Sequence, residues 1–260
     1  MDAEAHYRSG ALLPADSIDL ARTALLLDVD GTLIDIADTP HDVVMPPSLR
    51  TTLSDLLKLS GGGVALVSGR TIEALDALFA PLTPPAIGEH GAEIRLSVSA
   101  PTLKQRPASL SDAVRRQLHL LADIDPHVLV EDKAHSVALH YRLAHRQEAV
   151  LKREVAAIVA EESTDVEMLF GKAVIDIKPR LFSKGSAVCE LMTHPPFKGR
   201  TPLFIGDDTT DESVFGILPD LGGSGYSVGR PVPETQGTFR SPEQVRLWLE
   251  RVAAHSGRAA

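Results

Sequence analysis

A short apolar run that ends in two carboxylates constrains the fold of this chain more than any other feature. The run Ala24–Leu27 is followed by Asp28, Val29, Asp30 and Gly31. A continuous apolar run of this length is typical of a strand buried on both faces, as in a parallel sheet. Side chains two residues apart at its end can project the same way, and parallel sheets bind ligands beyond the carboxyl ends of their strands. The alternative interpretation is a strand end with a simple Asp-Gly turn.

Charge and cysteine content narrow the function classes. The 260 residues include 26 Lys and Arg against 35 Asp and Glu, a formal net charge of −9. An acidic chain gives no support for nucleic-acid binding, which usually shows as a basic surplus. The single cysteine, Cys189, suits a reducing compartment. No apolar stretch approaches the roughly 20 residues of a membrane span, and the first residues do not resemble a secretory signal. We therefore expect a cytoplasmic protein with no nucleic-acid or membrane partner; the sequence leaves the oligomeric state open, a monomer being one alternative.

The order of predicted elements divides the chain into three segments. Residues 1–99 and 179–260 alternate buried strands with helices, which is the order of a parallel sheet with crossover helices. Residues 100–178 instead show the order α-β-β-α-β-β, with hairpins over His127–Arg142 and around Gly171-Lys172. The predicted fold class is therefore α/β, a parallel-sheet core with an inserted smaller α/β domain built on an antiparallel sheet.

Polar residues recur at the boundaries of elements in the parallel part. They are Asp28 and Asp30, Ser68-Gly69-Arg70, Lys184-Gly185, and Asp207-Asp208-x-x-Asp211. Each is ordinary alone, since Ser before a helix is usually an N-cap and an acidic run after a strand often complements a helix dipole. Together, and in this order, they indicate a phosphoryl-transfer site.

The chemistry of phosphate assigns a role to most of these side chains. Phosphate repels a carboxylate nucleophile, so a cation and a fixed lysine must neutralise its charge. We predict that Asp28 attacks phosphorus and that Asp30 protonates the leaving oxygen and then activates water. Ser68 and Lys184 are expected to bind the phosphoryl oxygens.

The remaining acidic residues predict a Mg²⁺ site. Asp207 supplies a hard oxygen ligand, together with Asp28 and the backbone carbonyl of Asp30, and Asp208 is included in the predicted ligand set. Gly31 is expected to let backbone amides approach the phosphate closely.

These motifs carry a resemblance to a known family. Asp28-Val29-Asp30-Gly31-Thr32, Ser68, Lys184 and Gly206-Asp207-Asp208 resemble, in order, the four motifs of the haloacid-dehalogenase-like phosphatases. The resemblance implies a Rossmann-like core and Mg²⁺ dependence. An insert between the second and third motifs implies a cap domain over the active site, of the α/β type called C2B. Substrate choice is expected to lie in the cap.

Alternation along the strands of the insert predicts one polar and one apolar sheet face. The polar face carries Glu131, Lys133, His140, Arg142, Lys172 and Asp176, and the apolar face is expected to pack on the cap helices. The alternative is an ordinary solvated face. Its position over a phosphatase site favours function, and mixed charged donors and acceptors suit sugar hydroxyls.

The same segments resemble the trehalose-6-phosphate phosphatases. The resemblance is carried by Val130-Glu131-Asp132-Lys133, Leu139-His140-Tyr141-Arg142, Gly88-Glu89-His90-Gly91-Ala92 and Gly171-Lys172 through Lys178-Pro179. It implies that Glu131 and Lys133 grip the glucose unit remote from the phosphate, and that Lys172 and Asp176 also face the sugar. Asp176 stands where the family usually has Glu, so we expect that contact to be weaker or water-mediated. The other predicted substrate-binding residues are Gly31, Thr32, Arg70, His90, Gly91, His140 and Arg142.

The expected activity is hydrolysis of trehalose 6-phosphate through an aspartyl-phosphate, in trehalose biosynthesis. A rival within the class is another sugar-phosphate phosphatase, such as one acting on sucrose phosphate. A rival from a different class is a signalling receiver domain, which also uses a strand-end Asp, Mg²⁺ and a Lys. The cap and Asp30 argue against a receiver, because a receiver has no need to protonate a leaving alcohol.

Overall fold

The computed structural model describes residues 13–39, 42–98, 100–104, 110–161 and 165–259. These residues form two separate sheets. The strands of the larger sheet are β1 Thr23–Leu27, β2 Val64–Val67, β3 Ala86–Gly88, β4 Glu93–Arg95, β5 Leu103–Lys104, β10 Thr201–Gly206, β11 Ser224–Val228 and β12 Gly237–Phe239. The strands of the smaller sheet are β6 Leu129–Asp132, β7 Val137–His140, β8 Val166–Gly171 and β9 Val174–Pro179. The helices are α1 Pro47–Leu59, α2 Ile72–Phe79, α3 Asp112–Leu120, α4 Glu148–Glu161, α5 Lys184–Leu191, α6 Glu212–Phe215 and α7 Pro242–Ala259.

The apolar run at the start of the chain lies in the middle of the larger sheet. The strand order is β12-β11-β10-β1-β2-β3-β4-β5, parallel from β12 to β3, with β4 and β5 antiparallel to their neighbours. Leu25 and Leu27 pack in a core layer with α1 and α7, whereas Ala24 and Leu26 pack in the opposite layer with α5 and α6. Both faces of β1 are buried, which explains why its sequence is apolar without alternation.

The register of the central strands brings their carboxyl ends to one edge. Leu27 at the end of β1 is paired with Ile205 of β10 and with Leu66 of β2. The residues that follow these three strands therefore meet at the same place, as the sequence predicts for a parallel sheet.

The smaller sheet has the order β6-β7-β9-β8 and is antiparallel throughout. One face packs on α3 and α4 through a third core. Its strand residues include Val137, Leu139, Ile175 and Ile177, which the alternation assigns to the apolar face. We call this sheet with α3 and α4 the cap.

The predicted fold class is confirmed, and the differences lie in short elements. Strands β3, β4, β5 and β12 were not predicted, because two or three residues are too few to show a period. β5 belongs to the larger sheet although its residues fall within 100–178, and the domain limits stay a prediction. Within the residues described, no helix is long and apolar enough to cross a bilayer.

Candidate active site

The ends of three adjacent strands carry the predicted catalytic residues. Asp28 follows β1, Ser68 follows β2 and Asp207 follows β10, and all three are buried. The backbone N–H of Asp28 still donates to Ile205, and that of Ser68 donates to Ile87. Asp28 and Ser68 thus each extend the hydrogen bonding of the sheet by one bond beyond the end of the strand. These bonds fix the backbone from which the two side chains project.

A buried lysine lies between two carboxylates at this edge. Lys184 Nζ donates to Asp28 Oδ1 at 2.8 Å and to Asp211 Oδ1 at 2.7 Å. Burial works against the charge of Lys184, but the two carboxylates outweigh it and raise its pKa. Burial, reinforced by the charge of Asp211, raises the pKa of Asp28 well above its usual range. The site therefore holds more negative charge than one lysine neutralises.

Helix α5 positions Lys184 at its first residue. Ser183 is the N-cap, and its side chain accepts the N–H of Ser186 while the Ser186 side chain accepts the N–H of Ser183. This capping box fixes the start of the helix. Lys184 is placed by the backbone, with its side chain 3% exposed.

The carboxylates of Asp28, Asp207 and Asp211 offer oxygens that all lie within 4.8 Å of one another. Buried carboxylates at this spacing suit a hard divalent cation, which prefers oxygen ligands. Asp211 was not predicted as a site residue. Its Oδ2 also accepts the N–H groups of Asp207 and Asp208, at 2.9 and 3.0 Å, so it shapes the loop after β10.

Asp208, a predicted metal ligand, is placed differently. Its Oδ1 accepts the N–H of Thr209 at 2.7 Å, and with Asp211 it forms a capping box for the turn Thr209–Asp211. It does not belong to the group of three carboxylates. The spacing Asp208-x-x-Asp211 marks Asp211 in the sequence as part of the acidic run after the strand, but it assigns Asp211 no role at the site.

Asp30, the predicted acid and base, is bound by an arginine. Arg70 Nε donates to Asp30 Oδ2 at 2.6 Å, and a second guanidinium nitrogen donates to Oδ1 at 2.7 Å. Burial lowers the pKa of Arg70, but the bonds to Asp30 outweigh burial and raise it. The prediction places Arg70 on the substrate, whereas the structure places it on Asp30, where a two-pronged ion pair fixes the carboxylate.

Three predicted substrate-binding residues do not line the cavity described below. Gly31 has φ +85°, and a Cβ there would collide with the Asp207 carboxylate. Thr32 is fully buried and donates to Asp207 Oδ1 at 3.2 Å. Gly91, at φ +113°, lies against the Ser183 carbonyl at the start of α5. Their contacts support other site residues.

The polar face of the cap lies across the cavity from the strand ends that carry Asp28, Ser68 and Asp207. Glu131 Oε2 accepts a hydrogen bond from His140 Nε2 at 2.9 Å and lies 3.6 Å from Lys133 Nζ. Burial opposes ionisation of Glu131, but these two partners outweigh it and lower its pKa. Lys133 Nζ is also 3.5 Å from Asp176 Oδ1. Charges of both signs alternate across the face, as hydroxyl recognition requires.

Asp176 and His90 form a second buried pair. His90 Nε2 lies 3.4 Å from Asp176 Oδ1, although neither ring nitrogen has a partner in hydrogen-bond geometry. Burial lowers the pKa of His90, so the neutral ring is favoured near neutrality. Burial raises the pKa of Asp176, but Lys133 and then His90 outweigh it and hold that pKa far below its usual range.

Lys172 and Arg142 extend the polar face towards Asp207. Lys172 Nζ donates to Asp207 Oδ2 at 2.5 Å, and Arg142 donates to the Lys172 carbonyl at 2.5 Å. In the same region, Thr209 Oγ1 donates to the Phe170 carbonyl at 2.7 Å. The β8–β9 turn thus contacts the loop that carries Asp207.

Most of the predicted site residues line one cavity between the larger sheet and the cap, which is about 930 Å³ when its solvent-open part is included. Predicted residues in its lining are Asp28, Asp30, Ser68, Arg70, His90, Glu131, Lys133, His140, Arg142, Lys172, Asp176, Lys184, Asp207 and Asp208. Sequence reasoning missed the part of the lining contributed by Ile36, Ala37, Asp38, Thr39 and Val43. Their position directly after the first motif was the available signal.

Comparison with known proteins identifies the family. The trehalose-phosphatase family model matches residues 26–242, which include the smaller sheet and all of the larger sheet except the first three residues of β1. The chain belongs to the trehalose-phosphatase family. This confirms the family predicted from the sequence.

Individual relatives agree with the family match. The chain is 40% identical to the Sinorhizobium fredii protein named "Probable trehalose-phosphate phosphatase", over 90% of this chain and 89% of that protein. It is 36% identical to the Escherichia coli trehalose-6-phosphate phosphatase, over 89% and 87%. The structure is similar to the C-terminal domain of the Candida albicans trehalose-6-phosphate phosphatase, with a TM-score of 0.78, 25% identity and coverage of 90% and 92%.

Proposed function

We propose that this chain hydrolyses trehalose 6-phosphate to trehalose and inorganic phosphate, with Mg²⁺ as its metal. One observation carries the proposal. The family match spans core and cap, and the cap residues predicted to bind the sugar line the same cavity as Asp28 and Lys184. The phosphate end of the substrate would lie at the strand ends and the sugar would lie under the cap.

In the first step, Asp28 attacks phosphorus. Lys184 holds Asp28 through Oδ1, so the other carboxylate oxygen is presented to the phosphoryl group. A bond forms between that oxygen and phosphorus while the bond from phosphorus to the sugar oxygen breaks. Asp30 must take up a proton and leave its ion pair with Arg70 before this step, and it then gives that proton to the departing sugar oxygen.

In the second step, the aspartyl-phosphate is hydrolysed. Asp30, now ionised and bound by Arg70, takes a proton from water, and the resulting hydroxide attacks phosphorus. The bond between phosphorus and Asp28 breaks, which releases phosphate and regenerates the carboxylate. The Arg70 ion pair stabilises the ionised form of Asp30 that this step needs.

The cluster of Asp28, Asp207 and Asp211 would hold Mg²⁺. When bound, the ion would neutralise charge on the phosphoryl oxygens and on the buried carboxylates. Asp211 already accepts hydrogen bonds from Lys184 and from two backbone N–H groups. Asp28 accepts one such bond, from Lys184, and Asp207 accepts two, from Thr32 and Lys172, so both retain more capacity for coordination than Asp211, which accepts three.

We infer a cytoplasmic enzyme whose partner is a small sugar phosphate. The single cysteine and the net charge of −9 support a reducing compartment and argue against nucleic acid.

A phosphate-release assay over a panel of substrates tests the function. The panel contains trehalose 6-phosphate, sucrose 6-phosphate, glucose 6-phosphate and p-nitrophenyl phosphate. We expect the highest kcat/KM on trehalose 6-phosphate, no turnover by Asp28→Asn on any substrate, and a selective loss on trehalose 6-phosphate for Glu131→Ala. A preference for sucrose 6-phosphate would favour the rival phosphatase, and equal losses by Glu131→Ala on all substrates would remove the sugar-binding role of the cap.

A further inference from the structure

The turn between β6 and β7 is bound to a carboxylate from outside the cap. Glu89 Oε1 accepts the backbone N–H of Ala134 at 3.0 Å, and Glu89 Oε2 accepts that of His135 at 3.0 Å. Glu89 follows β3 of the larger sheet and is 1% exposed. We call this pair of hydrogen bonds the Glu89 contact. One buried side chain thereby binds two consecutive amides of the cap.

The turn bound by Glu89 carries Lys133. The N–H of Lys133 donates to the Ser136 carbonyl at 2.9 Å and closes the turn. Lys133 Nζ donates to the Gly69 carbonyl at 3.0 Å and lies 3.5 Å from Asp176. The position of the turn therefore sets where the Lys133 ammonium stands relative to the core.

Glu89 itself is rigidly held. Glu89 and His90 have φ of 45° and 55°, a left-handed conformation that is uncommon for residues other than glycine. The N–H of Glu89 donates to the Arg70 carbonyl at 2.9 Å, and that of His90 donates to the Ser68 carbonyl at 3.1 Å. A conformation of this kind persists only where surrounding bonds impose it. The Glu89 carboxylate is thus fixed relative to Ser68, at the phosphate end of the cavity.

We propose that Glu89 is a positioning residue that fixes the cap turn carrying Lys133 relative to the strand ends and thereby supports recognition of the sugar. By binding the turn, it fixes Lys133 at a set distance from the strand ends, so that sugar and phosphate are held at matched positions. Glu89 does not line the cavity, so it acts through Lys133 and does not touch the substrate. The inference rests on the proposed function for its kinetic consequence and on the structure alone for the contact.

The test compares Glu89→Ala and Glu89→Gln with a matched control, Glu93→Gln. Glu93 is also a buried carboxylate, but one oxygen accepts the N–H of Ile72 at 2.7 Å within the core. Glutamine keeps one acceptor oxygen, which suffices at Glu93 and serves one of two amides at Glu89. The measurements are amide hydrogen exchange of Ala134 and His135 in the substrate-free protein, and kcat and KM on trehalose 6-phosphate and p-nitrophenyl phosphate.

For Glu89→Ala we expect KM for trehalose 6-phosphate to rise about tenfold, the size expected for the loss of one charge-assisted hydrogen bond. Glu89→Gln should show an intermediate rise. Exchange should accelerate at both Ala134 and His135 in Glu89→Ala and at one of the two in Glu89→Gln, while kcat/KM on p-nitrophenyl phosphate stays unchanged. Glu93→Gln should leave both the exchange rates and the KM values as in the wild type.

Three results would overturn the proposal: unchanged exchange at both amides in Glu89→Gln, an equal loss on both substrates, or a KM rise matched by Glu93→Gln. Should Glu89→Ala fail to fold, Glu89→Gln alone decides between these outcomes. If the wild-type protein does not hydrolyse trehalose 6-phosphate, the proposed function fails, and the exchange rates still decide whether Glu89 holds the turn.

Discussion

Asp211 connects Lys184 to the loop after β10, and the motifs did not assign it a role. It is fully buried and binds Lys184 through one oxygen and two backbone N–H groups through the other. In Asp211→Asn, one oxygen must serve both sets of donors and the amide nitrogen faces a donor. We expect a loss of about 3 kcal/mol in the free energy of unfolding, as for other broken buried pairs. We also expect a fall of about 10²-fold in kcat, because Lys184 and the Asp207 loop are released. Urea denaturation and steady-state kinetics measure the two effects.

Asp208→Asn is the matched control for this prediction. Asn caps a turn as well as Asp does, so the bond to the Thr209 N–H survives and stability should change by less than about 1 kcal/mol. Activity should exceed that of Asp211→Asn. Equal inactivation of the two variants, with Mg²⁺ affinity lost in Asp208→Asn, would restore Asp208 as a metal ligand and contradict the assignment drawn from the geometry.

At the scale of elements, the packing of α5 against α6 sets the position of the Lys184 side chain. A Cβ on Gly185 would collide with the backbone carbonyl of Ser213 in α6. Gly185→Ala must therefore push α5 away, which we expect to cost about 2 kcal/mol as overpacking does. It should also lower kcat, since Lys184 is the neighbouring residue. Chemical denaturation and kcat on p-nitrophenyl phosphate provide the measurements.

Gly216→Ala provides the comparison. Gly216 ends α6 with helical φ −63° and ψ −27°, and a Cβ there would lie 3.4 Å from the nearest atom. The substitution should be neutral or stabilise by about 0.5 kcal/mol, because alanine restricts the unfolded chain. A Gly185→Ala variant as stable and active as Gly216→Ala would show that the helix spacing does not control the lysine.

The elements also explain which parts were predictable from sequence. Strand β1 was predictable, because a strand buried on both faces is apolar throughout and ends before the first carboxylate. The polar face of the cap was also predictable, because alternation with a period of two residues can be recognised within a single strand. The Glu89 contact was not predictable, since it joins a side chain to backbone N–H groups of a distant turn. Almost every residue has such a group, so the sequence does not mark these two. The cavity wall from Ile36 to Thr39 was missed because it has no periodic structure.

At the scale of the whole molecule, the proposed metal joins the two parts of the core. Asp28 follows β1 near the start of the chain, whereas Asp207 and Asp211 follow β10 after the cap. A ligand that binds only the folded state stabilises it by about 2.7 kcal/mol at 100 times its dissociation constant. For a protein of this size we expect saturating Mg²⁺ to raise Tm by about 5 to 10 °C. Differential scanning calorimetry with and without chelator measures the shift.

The variants that separate specific binding from general ionic effects are Asp207→Asn and Asp220→Asn. Asp207 belongs to the carboxylate group, whereas Asp220 is an exposed acidic residue outside that group. Asp220→Asn should keep the full Mg²⁺-dependent shift, and Asp207→Asn should lose most of it together with phosphate release. EDTA should stop turnover in the wild type, and added Mg²⁺ should restore it. An equal Tm shift in Asp207→Asn and the wild type, or full activity in chelator, would mean that the cluster does not bind the ion, and the excess negative charge around Asp28 would then need another partner.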